Sequence, residues 1–329
     1  MNIDNLELEL IKTDKKRLRI RNSYKIKLRH NKESVKSENS SNYIFFPKML
    51  ISKNNTQLRY GLSWLYNGFI IKIDSFVMAV DPGVNFLLRL TENKYDITTI
   101  NKLYISHLHI DHSADANTLM EYLIRADKKI EIFAPKTVYQ TNTISKFHSG
   151  EKLSFNNNIQ SYSIDENSKF KINTVNINFF PLYHGVECYG FSIKYKDKKI
   201  SYISDTGYAR EIKVKNKTLK VEDIKDPIIA DKIIIKNEII KKEVQHSDII
   251  ICNIDSFVYT KNSKTHLCIL DLLDILKDSN CKKLILAHIN PIGEVLYKEW
   301  GNRISKYIKK ETSIDTFCFS DNGLKIILD

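Results

Sequence analysis

His107-Leu108-His109-Ile110-Asp111-His112 packs three imidazoles and a carboxylate into six consecutive residues. An apolar stretch, Lys102 to Ile105, leads into the cluster. Beyond it, from Asp115 to Ala126, Leu119, Met120, Leu123 and Ile124 recur at helical spacing, so the cluster reads as a loop between a strand and a helix that buries one face. A strand-to-helix loop can aim several side chains at one point. Neutral imidazole and carboxylate are ligands for zinc and similar divalent ions, and crowding them without such a purpose has no evident gain.

Working outward, the same placement recurs at the ends of other apolar runs. Strands are expected at Phe69 to Ile73 and Phe76 to Val80, the second ending in Asp81-Pro82-Gly83. Further strands are expected at Ile130 to Phe133, Val175 to Phe180, Cys188 to Tyr195, Lys199 to Ile203, Asp248 to Cys252 and Lys283 to Ala287. His184 follows the run ending at Leu182, Asp205 the run ending at Ser204, and His288 the run ending at Ala287. Thr265-His266-Leu267 opens a helical segment. The pattern predicts a second helix over 294–309 and a closing hairpin of Thr316 to Phe319 with Leu324 to Leu328. Strands and helices in two similar successions indicate a mixed α/β (α+β) chain with helices to cover paired sheets. His30, His148 and His246 lack a strand-end setting and read as surface or structural residues.

His107-x-His109-x-Asp111-His112 followed by isolated His184, Asp205 and His288 resembles the signature of the metallo-β-lactamase superfamily, from about Ser63 onward. The resemblance implies an αββα sandwich with metals at one sheet edge, and Asp81 as a support of the histidine loop that is not itself a ligand. It further implies two divalent ions. His107, His109 and His184 would hold one and Asp111, His112 and His288 the other, with Asp205 bridging. Zinc is the first expectation for both, with manganese and iron as alternatives. Within the superfamily the chain is most similar to the transfer-RNA 3′-processing endonucleases and related phosphodiesterases, since the helix led by His266 runs through Lys282-Lys-Leu-Ile-Leu-Ala287 into His288. That similarity implies catalytic roles for Asp111, orienting or deprotonating a water, and for His266, contacting the scissile phosphate or delivering a proton to the leaving oxygen. The chain departs from that branch in three places. Ser113-Ala-Asp-Ala-Asn117 replaces a Gly-rich stretch, no Gly/Pro-rich arm separates His184 from Asp205, and Cys252-Asn253-Ile254-Asp255 stands at a strand end that otherwise carries the partner of His266.

The formal charge of +12 is concentrated. Between Lys12 and Lys36 lie eleven Lys or Arg against Asp14 and Glu33. Arg17, Arg19 and Arg21, then Lys25, Lys27 and Arg29, alternate with apolar residues, which reads as a two-stranded ribbon with one basic face. That face is a candidate for steering an anionic substrate. Residues 1–45 are therefore expected to form a basic β-ribbon extension with a polar linker, and 46–329 the hydrolase domain. Lys- and Ile-rich sequence at about 208–245 reads as an insertion in that domain, with Ile229, Ile233, Ile240 and Val244 able to line a helix and the segment a candidate homodimer contact. No apolar run reaches membrane-spanning length and the first ten residues are acidic, so no membrane association and a cytoplasmic setting are expected. The five scattered cysteines fit reduced, buried side chains. The expected function is a two-metal phosphodiesterase acting on nucleic acid or nucleotides. The fold leaves lactone, thioester and β-lactam hydrolysis open, and beyond these an inactive binding or regulatory subunit.

Overall fold

The computed structural model describes residues 42–47, 67–148 and 158–288 apart from 216, 236, 237 and 278, together with 12, 15, parts of 305–319, and 324–328. The basic segments with Arg17, Arg19, Arg21, Lys25, Lys27 and Arg29 lie outside the described residues, as does most of the helix expected over 294–309. The chain divides into two compact units. The first is drawn from 29–179, 193–197 and 320–329, the second from 180–192 and 198–319 together with the residues before 29.

In the first unit β1 (Tyr43–Phe45), β2 (Phe69–Ile73), β3 (Phe76–Val80), β4 (Lys102–Tyr104), β5 (Ile130–Pro135), β6 (Ile159–Ile164) and β17 (Lys325–Ile327) form one sheet, in the order β17-β1-β2-β3-β4-β5-β6. β2 and β3 are a hairpin whose two-residue turn begins at Asp74, with φ of 50°, the conformation a tight hairpin turn requires. From β3 to β6 the strands run parallel, and β3 is buried along its whole length, as central strands covered on both sides are. Helices α1 (Phe86–Glu92) and α3 (Ala116–Arg125) contribute Phe86, Leu90, Leu119, Met120 and Leu123 to a core shared with Ile70, Ala79, Leu103 and Ile132. The short helix α2 (Ile110–Ser113) carries the end of the histidine cluster. A fourth helix, α4, covers Lys136–Gln140. The sheet begins at Tyr43, ahead of the domain boundary expected at 46, because Ile44 and Phe45 are buried in it.

The second sheet has the order β16-β15-β14-β10-β9-β8-β7. Its strands are β7 (Lys169–Ile172), β8 (Val175–Tyr183), β9 (Glu187–Tyr195), β10 (Lys198–Ile203), β14 (Ile249–Asn253), β15 (Lys283–Ala287) and β16 (Thr316–Phe319). β10, β14, β15 and β16 run parallel. Ile240 and Val244 of α5 (Glu238–Val244) and Leu272, Ile275 and Leu276 of α6 (Ile269–Leu276) pack with Ile203, Ile250 and Leu284. Full burial of such side chains stabilises by about 1.5–3 kcal/mol each.

Two sequence expectations are corrected here. Thr316 to Phe319 and Leu324 to Leu328 do not form a hairpin. β16 pairs parallel with β15, whereas β17 pairs antiparallel with β1 in the other sheet. Ile233 does not share a helix with Ile240 and Val244, because it lies in β13 (Lys232–Ile235). There the β-branched run alternates between exposed and half-buried, as a strand with one covered face does. With β11 (Ala209–Val214) and β12 (Lys217–Lys220), β13 makes a separate three-stranded antiparallel sheet whose Ile212 packs with Val221, Ile224 and Tyr259.

Candidate metal centre

Parallel strands present their carboxyl ends to ligands, and in the first unit β3 and β4 end side by side at Asp81 and Ser106. Asp81 has φ of 46° and is fully buried. Its Oδ1 accepts the Ser106 backbone N–H at 2.7 Å, and its Oδ2 accepts the Ser106 hydroxyl at 2.8 Å and His112 Nδ1 at 2.9 Å. A carboxylate only accepts, so the His112 proton sits on Nδ1 and Nε2 presents a lone pair. The Ser106 hydroxyl proton is likewise directed at Asp81, which leaves its oxygen to accept His107 Nδ1–H at 2.9 Å and turns His107 Nε2 into a ligand atom as well. His107 and His112 are wholly buried, and the rings of His107 and His109 and of His107 and His112 have centroids 4.6 and 4.1 Å apart. Asp111 Oδ2 lies 3.6 Å from His112 Nε2. The loop is a set of imidazole nitrogen donors with an adjacent carboxylate, the chemistry a divalent ion takes.

In the second unit Asp205 is the hub. Asp205 is 3 % exposed, its Oδ2 lies 3.7 Å from His184 Nε2 and 3.4 Å from His266 Nε2, and its Oδ1 lies 3.8 Å from His288 Nδ1. His184 Nδ1 donates to the Thr265 carbonyl at 2.9 Å, so this ring too offers Nε2. The His184 and His266 rings meet edge to face at 4.8 Å. One donor atom from each of His184, Asp205 and His266 falls within 4.8 Å of the others, a set able to hold a metal ion. His266 stands two residues before Cys268, the N-cap of α6, so it is on the approach to the helix and not in its first turn. The acidic group near it is Asp255 at the end of the β14 segment, tied to the same loop through the Asn262 amide at 3.2 Å.

Burial alone would lower the affinity of His266 for a proton. The hydrogen bond and charge of Asp205, joined by the charge of Asp255, outweigh it and push the pKa up to about 9. A folded-state value above the unfolded one of about 6.5 contributes stability that is whole below that pH and is lost as pH rises through about 9. The metal-free protein is therefore expected to melt progressively lower between those limits, and Asp205→Asn to flatten the slope. Parallel melts of both proteins across this range check it, and identical slopes would count against the assignment.

Gly207 lets the His266 loop come near. A Cβ there would collide with the Lys264 backbone oxygen and lie 2.7 Å from its carbonyl carbon. Backbone atoms cannot swing aside, so Gly207→Ala is expected to cost on the order of 2–4 kcal/mol, read as a lowered melting temperature.

The structure thus gathers His107, His109, Asp111 and His112 over Asp81 in one unit, and His184, His266 and His288 around Asp205 in the other. His148 is a structural residue, held by Ser145, Asn117 and Glu121, and His246 is exposed. Cys188, Cys252, Cys268 and Cys281 are buried thiols outside any disulfide among the described residues. Among the described residues no helix is long and apolar enough to cross a membrane. Sequence reasoning missed Ser106 and Asn253. Asn253 donates to Asp205 Oδ1 at 2.9 Å, and the unusual Cys-Asn-Ile-Asp strand end was the signal that could have found it.

Residues 78–224 match the family model described as "Beta-lactamase superfamily domain". With 79 % of the chain covered, the fold resembles that of YhfI from Bacillus subtilis, a metallo-beta-lactamase fold protein, at a TM-score of 0.59 and 15 % identity over 91 % of that chain. Residues 78–224 thus resemble a metallo-β-lactamase superfamily domain, and the chain's mixed α/β fold is of that superfamily's class. Ribonuclease Z of Sulfolobus acidocaldarius is 29 % identical over 134 residues, 40 % of this chain and 43 % of that protein. The cAMP/cGMP-dependent 3',5'-cAMP/cGMP phosphodiesterase B of Dictyostelium discoideum is 27 % identical over 143 residues, 43 % of this chain and 13 % of that protein. Each match spans less than half of the curated relative. The fold implies divalent-metal binding, and the His/Asp clusters of both units fit it.

Proposed function

We propose that this chain is a two-metal phosphodiesterase acting on nucleic acid or nucleotides. The reading takes His107, His109 and His184 as ligands of one ion, Asp111, His112 and His288 as ligands of the other, and Asp205 as the bridge, with zinc the first choice of metal. The names of the two curated relatives, a ribonuclease and a cyclic-nucleotide phosphodiesterase, support the substrate class. The observation that carries the reaction type is His266. Its Nε2 lies 3.4 Å from Asp205 Oδ2, and it is not one of the seven residues of the ligand set, so an imidazole able to carry a proton stands beside the metal ligands.

Bound metals would supply an acidified water at neutral pH and offset charge on the phosphate oxygens. The chain's own residues do the rest. Asp111, 15 % exposed in its side chain, orients the attacking water and accepts its proton. His266 delivers a proton to the departing alkoxide, with Asp255 the acidic group near it besides Asp205. Asp81 and Ser106 hold His107 and His112 in the ligating tautomer throughout.

The experiment is hydrolysis of bis-(p-nitrophenyl) phosphate, cyclic nucleotides and a 3′-extended transfer RNA in parallel, with zinc or manganese, for the native chain and His112→Ala. Metal-dependent cleavage of a phosphodiester that vanishes in the variant is expected, and the preferred substrate separates nuclease from nucleotide phosphodiesterase. Inactivity on all three with two metals bound would redirect the assignment to lactones and thioesters.

A further inference from the structure

We infer that Asn253 is a positioning residue for Asp205, fixing how that carboxylate divides its two oxygens among the surrounding imidazoles. The inference rests on the reading of Asp205 as a bridging metal ligand. Asn253 closes β14, and the parallel register Ile203↔Cys252 and Asn253↔Ala287 sets it between the strand ends that carry Asp205 and His288. Buried to 2 % exposure, it donates from Nδ2 to Asp205 Oδ1 at 2.9 Å and to the Tyr202 hydroxyl at 3.2 Å. Tyr202 in turn donates to Ser204 Oγ at 3.3 Å. Asn253 therefore ties the side chain of Asp205 to the strand that precedes it.

The contact is to one oxygen only. Oδ1 takes the amide proton on the side of His288, while Oδ2 faces His184 and His266 at 3.7 and 3.4 Å. A carboxylate with one oxygen engaged by a neutral donor cannot rotate about its terminal bond without losing that bond, and its other oxygen keeps the greater share of electron density for a cation. The amide oxygen tells the same story from the other end. Asn253 Oδ1 is buried and has no hydrogen-bond partner among the described residues. A buried acceptor left unsatisfied is destabilising, and an apolar residue of the same size would avoid that penalty. The amide is thus placed for its donor, not for the stability of its surroundings. A carboxylate in its place would repel Asp205, and an aliphatic side chain would leave Asp205 to turn.

The test measures metal binding and not turnover. Zinc is titrated into metal-free native chain, Asn253→Leu, Asn253→Ala and Asp205→Ala in competition with a chromophoric chelator, with circular dichroism to confirm that each is folded. Leucine fills the volume of asparagine without a donor, and alanine guards against a packing fault peculiar to leucine. Orienting partners of metal ligands are worth about 10–100-fold in affinity, so both Asn253 variants are expected to bind zinc 10–100-fold more weakly. Native affinity in folded Asn253→Leu and Asn253→Ala, alongside weakened binding in Asp205→Ala, would overturn the inference and leave the metal centre standing. Native affinity in Asp205→Ala as well would remove the metal-centre reading and the inference with it.

Discussion

Asp205→Ala is expected to leave a folded chain in which metal-dependent phosphodiester hydrolysis falls on the order of 10³-fold or more in kcat/KM. The carboxylate faces His184, His266 and His288 within 3.4–3.8 Å and is the anion common to all three. Without it, a cation entering that cluster meets imidazoles alone and His266 loses the carboxylate that its Nε2 faces, so ligation and proton delivery fail together. The loss should appear in kcat as well as in bound metal counted on the purified variant. Native turnover by a variant lacking this carboxylate would end the assignment of Asp205 as a ligand.

Asp81→Asn is expected to destabilise the protein by about 2–4 kcal/mol and to weaken metal binding about 10–100-fold, although the residue is not read as a ligand. Three donors converge on its two oxygens, and asparagine can present only one oxygen to them. With the amide nitrogen in the Oδ1 position it faces the Ser106 N–H. In the Oδ2 position it faces His112 Nδ1 and drives that ring to the opposite tautomer, whose Nε2 carries a proton and cannot ligate. The backbone is not at fault, because asparagine accepts the left-handed φ of 46° as readily as aspartate does. Thermal unfolding with and without zinc separates the two effects, and a variant that matches the native chain in both would show that Asp81 does not set the tautomer.

The elements that could be read from the sequence are those whose signal is local. β2 and β3 fall at Phe69–Ile73 and Phe76–Val80, as expected, since two apolar runs around Asp74-Ser75 leave little else to form. Helix α3 follows from the spacing of Leu119, Met120 and Leu123. What was misread depends on partners remote in sequence. Nothing in Thr316 to Leu328 says that its two strands enter different sheets, because each pairs with a segment far away. Ile233 was drawn toward a helix by spacing alone, when its pairing with Ile212 decides the matter. The same division holds at the site. Histidines and aspartates at strand ends announce themselves by residue type, and the metal ligands expected from the sequence lie in the two clusters. Ser106 and Asn253 are neutral hydrogen-bonding residues of kinds found on any surface. Only the strand register, which places Asn253 beside the strand carrying Asp205, gives them meaning.

The pairing of Tyr43 with Ile327 also governs when the first sheet can be finished on the ribosome. β1 lies between β2 and β17, so one of its edges waits while about 280 further residues are made. At roughly 5–20 residues per second that wait is on the order of 15–60 s. During it β1 presents an open strand edge, the feature most prone to wrong pairing. Synthesis of this chain is therefore expected to be sensitive to truncation before residue 325, however intact the histidine loop. A nascent-chain protease digest should show the first unit becoming resistant only after β17 has emerged.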